Sequence, residues 1–310
     1  MADNPALAPP GTTPPTGRSA TWARRRRAWR GFASAFRRNK MGVAGLVILV
    51  LFSVMALLAP VLVDHRETQE AFATGAPLAE PSRAFPLGTD FFGRSVLALT
   101  IWGARVSLLV GLAAAAITAV IGTAIGVTGG YLGGRTDGVL NAMSNWCLVI
   151  PWIPLAIALS SILGPTLLNV IIVIGITSWA TSARLIRAQT LSVKQSLYVE
   201  RSRALGAGHW QIVLRHVLPN LAPVILATTV LAIALAILSE TTLAILGLGD
   251  VNSVSWGTVI YEAFTNGAIS TGAWWWLLPP GLCIVLVVLA FTMCGYAVEE
   301  ILNPRLRAKR

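Results

Sequence analysis

The chain has 310 residues, 55% of them hydrophobic and only 12% charged, with a mean hydropathy of +0.69, whereas a soluble domain carries roughly a quarter charged residues. A soluble protein is thereby excluded. The charge that remains is lopsided, 24 Lys+Arg against 13 Asp+Glu for a net +11, which points to an anionic partner, either nucleic acid or a membrane surface, and the placement of the basic residues decides between them.

In chain order, residues 1–40 open on a Pro/Ala/Thr-rich tail and then carry Arg18, Arg24, Arg25, Arg26, Arg27, Arg30, Arg37, Arg38 and Lys40. Six uncharged runs follow, 41–63, 106–127, 138–164, 166–183, 217–239 and 277–298. Each is near or above the ~18 apolar residues that make a membrane-spanning helix the default. The first is about twice the length of a signal-peptide core and reads as a retained anchor. Placing the N-terminal cluster in the cytoplasm puts Arg135, then Arg184, Arg187, Lys194, Arg201, Arg203 and Arg215, and finally Arg305, Arg307, Lys309 and Arg310 on the same side. Only Arg66, Arg83, Arg94 and Arg105 fall outside. The net charge is mostly a topology signal. The run at 24–27 reads as a juxtamembrane cluster facing anionic lipid, and nucleic acid is set aside as a partner.

Three segments outside the lipid are long enough to carry function: 64–105, external; 184–216, cytoplasmic; and 247–276, external, with Asp250 and Glu262 its only charges and room for a short interfacial helix. Trp274, Trp275 and Trp276 precede the last run and read as an aromatic belt at the headgroup layer. Within the runs, Gly122, Gly126, Gly130 and Gly134 recur every four residues, which strips one helix face of side chains and admits a neighbouring backbone. Pro151 and Pro154 interrupt the third run, and Pro279 and Pro280 sit early in the last; inside a helix each removes a backbone donor. Glu240 directly follows the fifth run, where a carboxylate is costly and so faces protein or a solute path. The runs hold no other titratable Asp, Glu, His, Lys or Arg, so a proton relay is disfavoured. Cys147, Cys283 and Cys294 show no metal-ligand spacing. No Ser/His, paired-Asp or metal constellation falls within the spans, which argues against an intramembrane enzyme.

The cytoplasmic segment reads as two short helices meeting at glycine. Ser192 with Gln195 has the form of a capping box, and Gly206 suits the left-handed residue that closes a helix. Leu197 and Tyr198 recur two turns on as Ala204 and Leu205, with Arg201 between them. Such a knob has no lipid to enter, so it either folds back on the bundle or inserts into a groove of another protein; a second subunit is preferred.

Glu200-Arg-Ser-Arg-Ala-Leu-Gly206, Trp210, Arg215 and Val217-Leu-Pro-Asn220 resemble the E-A-A-x-x-x-G…I-x-L-P loop of ABC-importer permeases, specifically the C-type subunit of the dipeptide/oligopeptide/nickel group. Supporting matches are Phe36-Arg-Arg-Asn-Lys40, Pro86-Leu-Gly-Thr-Asp90, Gly93-Arg94, Gly103-Ala-Arg-Val-Ser-Leu108, Gly130-Tyr-Leu-Gly-Gly134 with Asp137, Leu246-Gly-Leu-Gly249, Ser255-Trp-Gly257 and Asn303-Pro-Arg-Leu-Arg307. The departures are Arg201 and Ser202 in place of two alanines, Gly208-His209 after the turn, and Phe85, Phe91 and Ser95 in the external motif.

The resemblance implies an all-α, polytopic membrane protein of about six transmembrane helices with the type I ABC-importer permease fold. It divides the chain into a cytoplasmic tail (1–40), an anchor (41–63) with its external loop (64–105), a permease core (106–300) containing the coupling loop (184–216), and a cytoplasmic tail (301–310). It further implies residence in the bacterial plasma membrane with both termini cytoplasmic. The partners implied are a second permease subunit in a heterodimer, two cytoplasmic ATP-binding subunits holding ATP and Mg, and an external solute-binding protein. This chain binds no cofactor and is not the ATPase: a phosphate-cradling G-x-x-x-x-G-K-[ST] loop needs lysine, and Lys40, Lys194 and Lys309 all lack that context. The ATPase-docking residues are then Leu197, Tyr198, Glu200, Arg201, Ser202, Ala204, Leu205, Gly206, Trp210, Arg215 and Pro219. Asn145, Asn169 and Glu240 are pathway candidates, with Asn141 and Thr177 compatible, and Asp90, Arg94 and Trp256 are candidate contacts for the binding protein. The implied substrate is a short peptide; an oligosaccharide, a nickel complex, or a self-contained secondary transporter are the alternatives.

Overall fold

The computed structural model describes residues 30–302. The basic residues Arg18 and 24–27, and Asn303, Arg305, Arg307, Lys309 and Arg310, lie outside the described residues. Among those described the fold is helical, with a single isolated bridge between Thr89 and Ser95. After a helical stretch over 30–38, the main helices are α1 (Lys40–Leu62), α2 (Val96–Leu132), α3 (Gly134–Val149), α4 (Trp152–Leu163), α5 (Leu167–Thr177), α6 (Trp179–Lys194), α7 (Leu197–Ala204), α8 (His209–Leu248), α9 (Trp256–Thr265) and α10 (Trp274–Leu302). Five stretches are long and apolar enough to cross a membrane: α1, α2, α5 with α6, α8 and α10. The pair α3 and α4 makes a sixth if its two arms count as one span.

Proline makes that pair bent. Pro151 has no N–H to donate, and the ring excludes helical backbone at the residue before it. Ile150 and Pro151 are accordingly extended (ψ 124° and 126°), and the arms diverge by 91°. Pro154 is harmless in the first turn of α4, where its missing donor had no partner to lose. Pro279 and Pro280 lie inside α10 without ending it.

Helices extend beyond the uncharged runs wherever a charge can be accommodated. The second run begins at 106, but α2 starts at Val96, with Ser95 as its N-cap and Val96, Leu99 and Ala104 buried. Arg105 does not break it, because its guanidinium turns back over the Trp102 ring at 5.1 Å. Likewise α6 continues through Arg184 and Arg187 to Lys194, so only a short part of the 184–216 segment stands free of the long helices. Ser192 therefore lies inside α6, and the capping box read at Ser192 and Gln195 is not formed; Ser196 precedes α7 instead.

The glycine seam is the contact between α2 and α6. A Cβ at Gly122 would meet Ser182 Cβ at 3.0 Å, at Gly126 the Ala183 carbonyl at 2.7 Å, and at Gly130 Thr190 Cβ at 2.8 Å. Gly134 does not belong to it: with Gly133 it turns the chain from α2 to α3 at φ 56° and 74°, a conformation that favours glycine. Trp256, fully buried, anchors the main core against Phe52 of α1, Ala104 and Leu108 of α2, Ile237 of α8 and Phe291 of α10. The aromatic-belt reading needs correction as well. Trp275 and Trp276 are buried beneath the 64–95 loop, Trp275 Nε1 donating to the Thr89 carbonyl at 3.2 Å, and only Trp274 is exposed. Three adjacent residues on a helix cannot share one face.

Candidate functional site

At the end of the bundle where α2 and α6 stop, α7 forms a protruding knob. Its C-terminus closes as a Schellman turn: Gly206 takes φ 81°, its N–H reaches the Arg203 carbonyl at 3.0 Å, and the Ala207 N–H reaches Ser202 at 3.1 Å. One face of the knob folds back. Val199, Ile212, Val213 and Val217 are buried against Val127, Tyr131 and Ile186, Ser202 Oγ lies 3.3 Å from His216 Nε2, and His209 Nδ1 lies 3.4 Å from the Tyr131 hydroxyl. The other face is bare: Leu197, Tyr198, Glu200, Arg201, Ala204, Leu205 and Trp210 are exposed, Leu205 at 88% and Trp210 at 76%. Of the two alternatives read from the sequence, folding back on the bundle is seen on one face, and the other face is left uncovered by this chain.

Pro219 sets the geometry where the knob rejoins the bundle. Its ring clashes with the carbonyl of the preceding turn, and Val213–Val217 widens into a π-type turn. Asn220 Nδ2 donates to the His216 carbonyl at 2.6 Å, satisfying a group that the widening frees. Arg215 and Pro219 are exposed beside it.

Behind the knob this end of the bundle is tied by ion and hydrogen-bond pairs between α3 and α6. Arg187 grips Asp137 with both arms, Nε to Oδ1 at 2.5 Å and Nη2 to Oδ2 at 2.7 Å. Two α-helical turns further along α3, Arg184 Nη2 donates to Asn145 Oδ1 at 2.9 Å. A partly exposed pair of this kind contributes about 1 kcal/mol or less to stability.

A cavity of about 620 Å³ opens where the α3–α4 elbow, the α5–α6 junction and α8 meet. Its polar wall consists of hydroxyls, Thr118, Thr177, Ser178, Thr181, Ser182 and Thr228 among them, and no charged side chain lines it. Of the pathway candidates only Thr177 lies on this wall. Asn145 is taken by Arg184, and Asn169 Nδ2 closes the end of α4 by donating to the Leu163 and Gly164 carbonyls at 2.6 and 3.1 Å. Glu240 is buried away from the cavity, its Oε1 accepting from Ser255 Oγ at 2.5 Å beneath the N-terminus of α9. A cluster of four hydroxyl residues at 177–182 was the signal available in the sequence; Ser and Thr are masked in such runs because they bond back to their own helix, as Thr177 does to Val173 at 2.7 Å.

At the opposite end, Asp90 and Arg94 are 0% and 5% exposed and Trp256 is 0% exposed, so the three side chains read from the sequence as contacts for a binding protein are not at the surface. Asp90 Oδ1 accepts from the Phe92 and Arg94 N–H groups at 2.9 and 2.7 Å, its Oδ2 from Arg94 Nε at 2.5 Å. Arg94 Nη2 pairs with Glu262 of α9. Burial pushes the carboxyls of Asp90 and Glu262 up, opposed by the guanidinium between them. Burial also works against the Arg94 charge, but the two carboxylates outweigh it and hold its pKa above the usual value. Trp256 donates from Nε1 to the Thr100 carbonyl at 2.9 Å and from its N–H to Ser107 Oγ at 3.1 Å, in a slot that Gly103 leaves open. Glu262, 168 residues from Arg94 in sequence, is the member that sequence reading missed. Phe72 and Phe91 are exposed aromatics of this loop.

A multi-pass helical bundle with a cavity at its helix breaks and a half-bare knob at one end is a frame suited to membrane transport. The family "Binding-protein-dependent transport system inner membrane component" matches residues 120–308, and the "N-terminal TM domain of oligopeptide transport permease C" matches residues 25–81. The chain belongs to that family of binding-protein-dependent permeases. It is 34% identical over 281 residues to the dipeptide transport system permease protein DppC of Bacillus subtilis, covering 90% of this chain and 85% of that protein. Against the oligopeptide transport system permease protein OppC it is 33% identical in Bacillus subtilis (90% of both chains) and 34% identical in Escherichia coli (90% and 92%).

Proposed function

We propose that the chain is the transmembrane subunit of an ATP-driven importer and forms half of the translocation pathway for short peptides delivered by an external solute-binding protein. It pairs with a second, different permease subunit, and two cytoplasmic ATP-binding subunits, which carry the ATP and Mg, dock on the two permeases. The relatives named for dipeptide and oligopeptide transport support the peptide assignment over an oligosaccharide, a nickel complex or a self-contained transporter. In this reading both termini and the knob face the cytoplasm of a bacterial plasma membrane.

The observation that carries the reading is the knob. Leu197, Leu205 and Trp210 present apolar surface to solvent, with Arg201 and Arg203, which make no ion pair among the described residues, beside them on a helix whose end is fixed by the Gly206 turn. An amphipathic helix in this state fits a hydrophobic groove on a partner. It stands between α6 and α8, which also line the cavity through Thr181 and Ser182 on one and Thr228 and Ser239 on the other. Movement of the groove therefore reaches the cavity wall by rigid helices. Reconstitution tests this: peptide uptake into proteoliposomes is expected to need the ATPase subunits and ATP, and a cysteine at Leu205 to cross-link to an ATPase subunit. Uptake by this chain alone, without those subunits, overturns the reading.

A further inference from the structure

The knob is joined directly to α6 and α8, which form part of the cavity wall, yet the α3–α4 elbow supplies Cys147, Leu148, Ile150, Pro151 and Trp152 to the same wall and has no covalent route to the knob except forward through α4, α5 and α6. We propose that the Asp137–Arg187 pair is the positioning device that makes the elbow follow the knob, so that opening and closing of the cavity stays locked to ATP hydrolysis. This rests on the permease reading above.

Four observations carry it. First, the pair is bidentate, which fixes orientation as well as distance between α3 and α6. Second, the end of α2 is shaped to let the two side chains meet. A Cβ on Gly129 would lie 3.3 Å from Asp137 Oδ1, and one on Gly130 would lie 3.0 Å from the Arg187 carbonyl. Glycines 129 and 130 thus remove the material that would separate α3 from α6. Third, the pair sits directly behind the knob. Lys194, two turns along α6 from Arg187, places its ammonium 6.0 Å from the Tyr131 ring, and His209 at the start of α8 lies against that same ring. Tyr131 is buried, so α2, α6 and the root of the knob share one contact point. Fourth, the contact continues toward the cavity as a ladder between antiparallel helices. Asn145 with Arg184 is the next rung, and Cys147 Sγ against the Thr177 carbonyl at 3.8 Å is the last, on the cavity wall itself. Coupling of this type is a free energy shared between two sites through an element that both bias.

The pair is partly exposed, so its loss leaves the fold standing and the prediction can be read in the assembled complex. In proteoliposomes holding the full importer with its binding protein and peptide, Asp137→Asn and Arg187→Gln are expected to keep stimulated ATP hydrolysis within about twofold while peptide taken up per ATP falls about tenfold. Asp137→Glu, which retains the pair, is expected to stay near the native ratio, and Asp137→Arg combined with Arg187→Asp to recover most of what either single charge reversal loses. Native uptake per ATP in both neutral variants overturns the proposal. So does a parallel loss of hydrolysis, uptake and thermal stability, since that is the behaviour of a merely structural contact. Failure of the permease reading is recognised separately: the unmodified complex would then show no hydrolysis stimulated by binding protein and peptide.

Discussion

The two ends of the molecule solve opposite problems. At one end the 64–95 loop and α9 bury an arginine between two carboxylates and give almost every polar atom an internal partner: Asp90 accepts from two backbone N–H groups and Arg94, and Arg94 reaches Glu262 and the Thr68 carbonyl. At the other end α7 leaves Leu197, Leu205 and Trp210 in solvent and Glu200, Arg201 and Arg203 without ion pairs among the described residues. A buried charge network is complete in itself, and removing one member leaves the others desolvated and unpaired. A bare amphipathic helix gains little from its own chain and is finished by another. Stability and function should therefore separate when the two ends are altered.

The largest loss of stability is expected at the closed end. Among the described residues, Arg94→Met removes the only cation in contact with Asp90 and Glu262 and strands two carboxylates whose burial already disfavours their charge. A cost of about 3–5 kcal/mol follows, read as a large fall in the thermal midpoint of the detergent-solubilised protein, partly recovered at acid pH where the carboxyls protonate. The sign is fixed by the pKa direction. With the folded carboxyl pKa above its unfolded value, the unfolded state gives up its proton first as pH rises, so stability is lost through and above that range. A midpoint unchanged from the native protein would mean that the loop is not closed by this network. Ser255→Ala should rank next. It removes both the α9 capping box and the donor to Glu240, for about 1–3 kcal/mol.

Gly206 lies between the two regimes. Its φ of 81° favours glycine, and a Cβ there would meet nothing within 4 Å, so Gly206→Val is strained by backbone alone. A cost of about 1–2 kcal/mol is expected, with the protein still in the membrane and uptake by the assembled importer lost. Uptake at the native level would argue against a coupling role for the turn.

The spans were legible in the sequence because lipid tolerates few charges, and the knob because its glycine turn and apolar spacing are local. Their limits were not. A lone Arg105, or Arg184 and Arg187, reads as the edge of a span, although each of these side chains finds a nearby ring or polar partner and the helix runs on. Asp90 and Arg94, four residues apart in a polar loop, read as surface, since the residue that buries them, Glu262, is distant in sequence. Glu240 was read as either a hydrogen-bond acceptor or a lining group, and it accepts from Ser255 away from the cavity. Hydroxyl groups facing the cavity left only a faint trace. What spacing cannot encode is which distant segments share a wall.

The smallest effect on stability belongs to the bare face of the knob, and it sharpens the comparison most. Leu205→Glu places a charge where the side chain is already 88% exposed, keeping the backbone hydrogen bonds of the Schellman turn and leaving the buried Val199 face alone, so stability should change by about 0.5 kcal/mol or less. An apolar groove that receives Leu205 must desolvate that carboxylate, and association with the ATPase subunits is expected to weaken by at least about tenfold, measured by their retention on the purified permease. Trp210→Ala should act in the same direction through lost contact area. Unchanged association in both variants would place the ATPase contact elsewhere on the chain, whereas a large fall in thermal midpoint would show that this face is supported from within, like the opposite end.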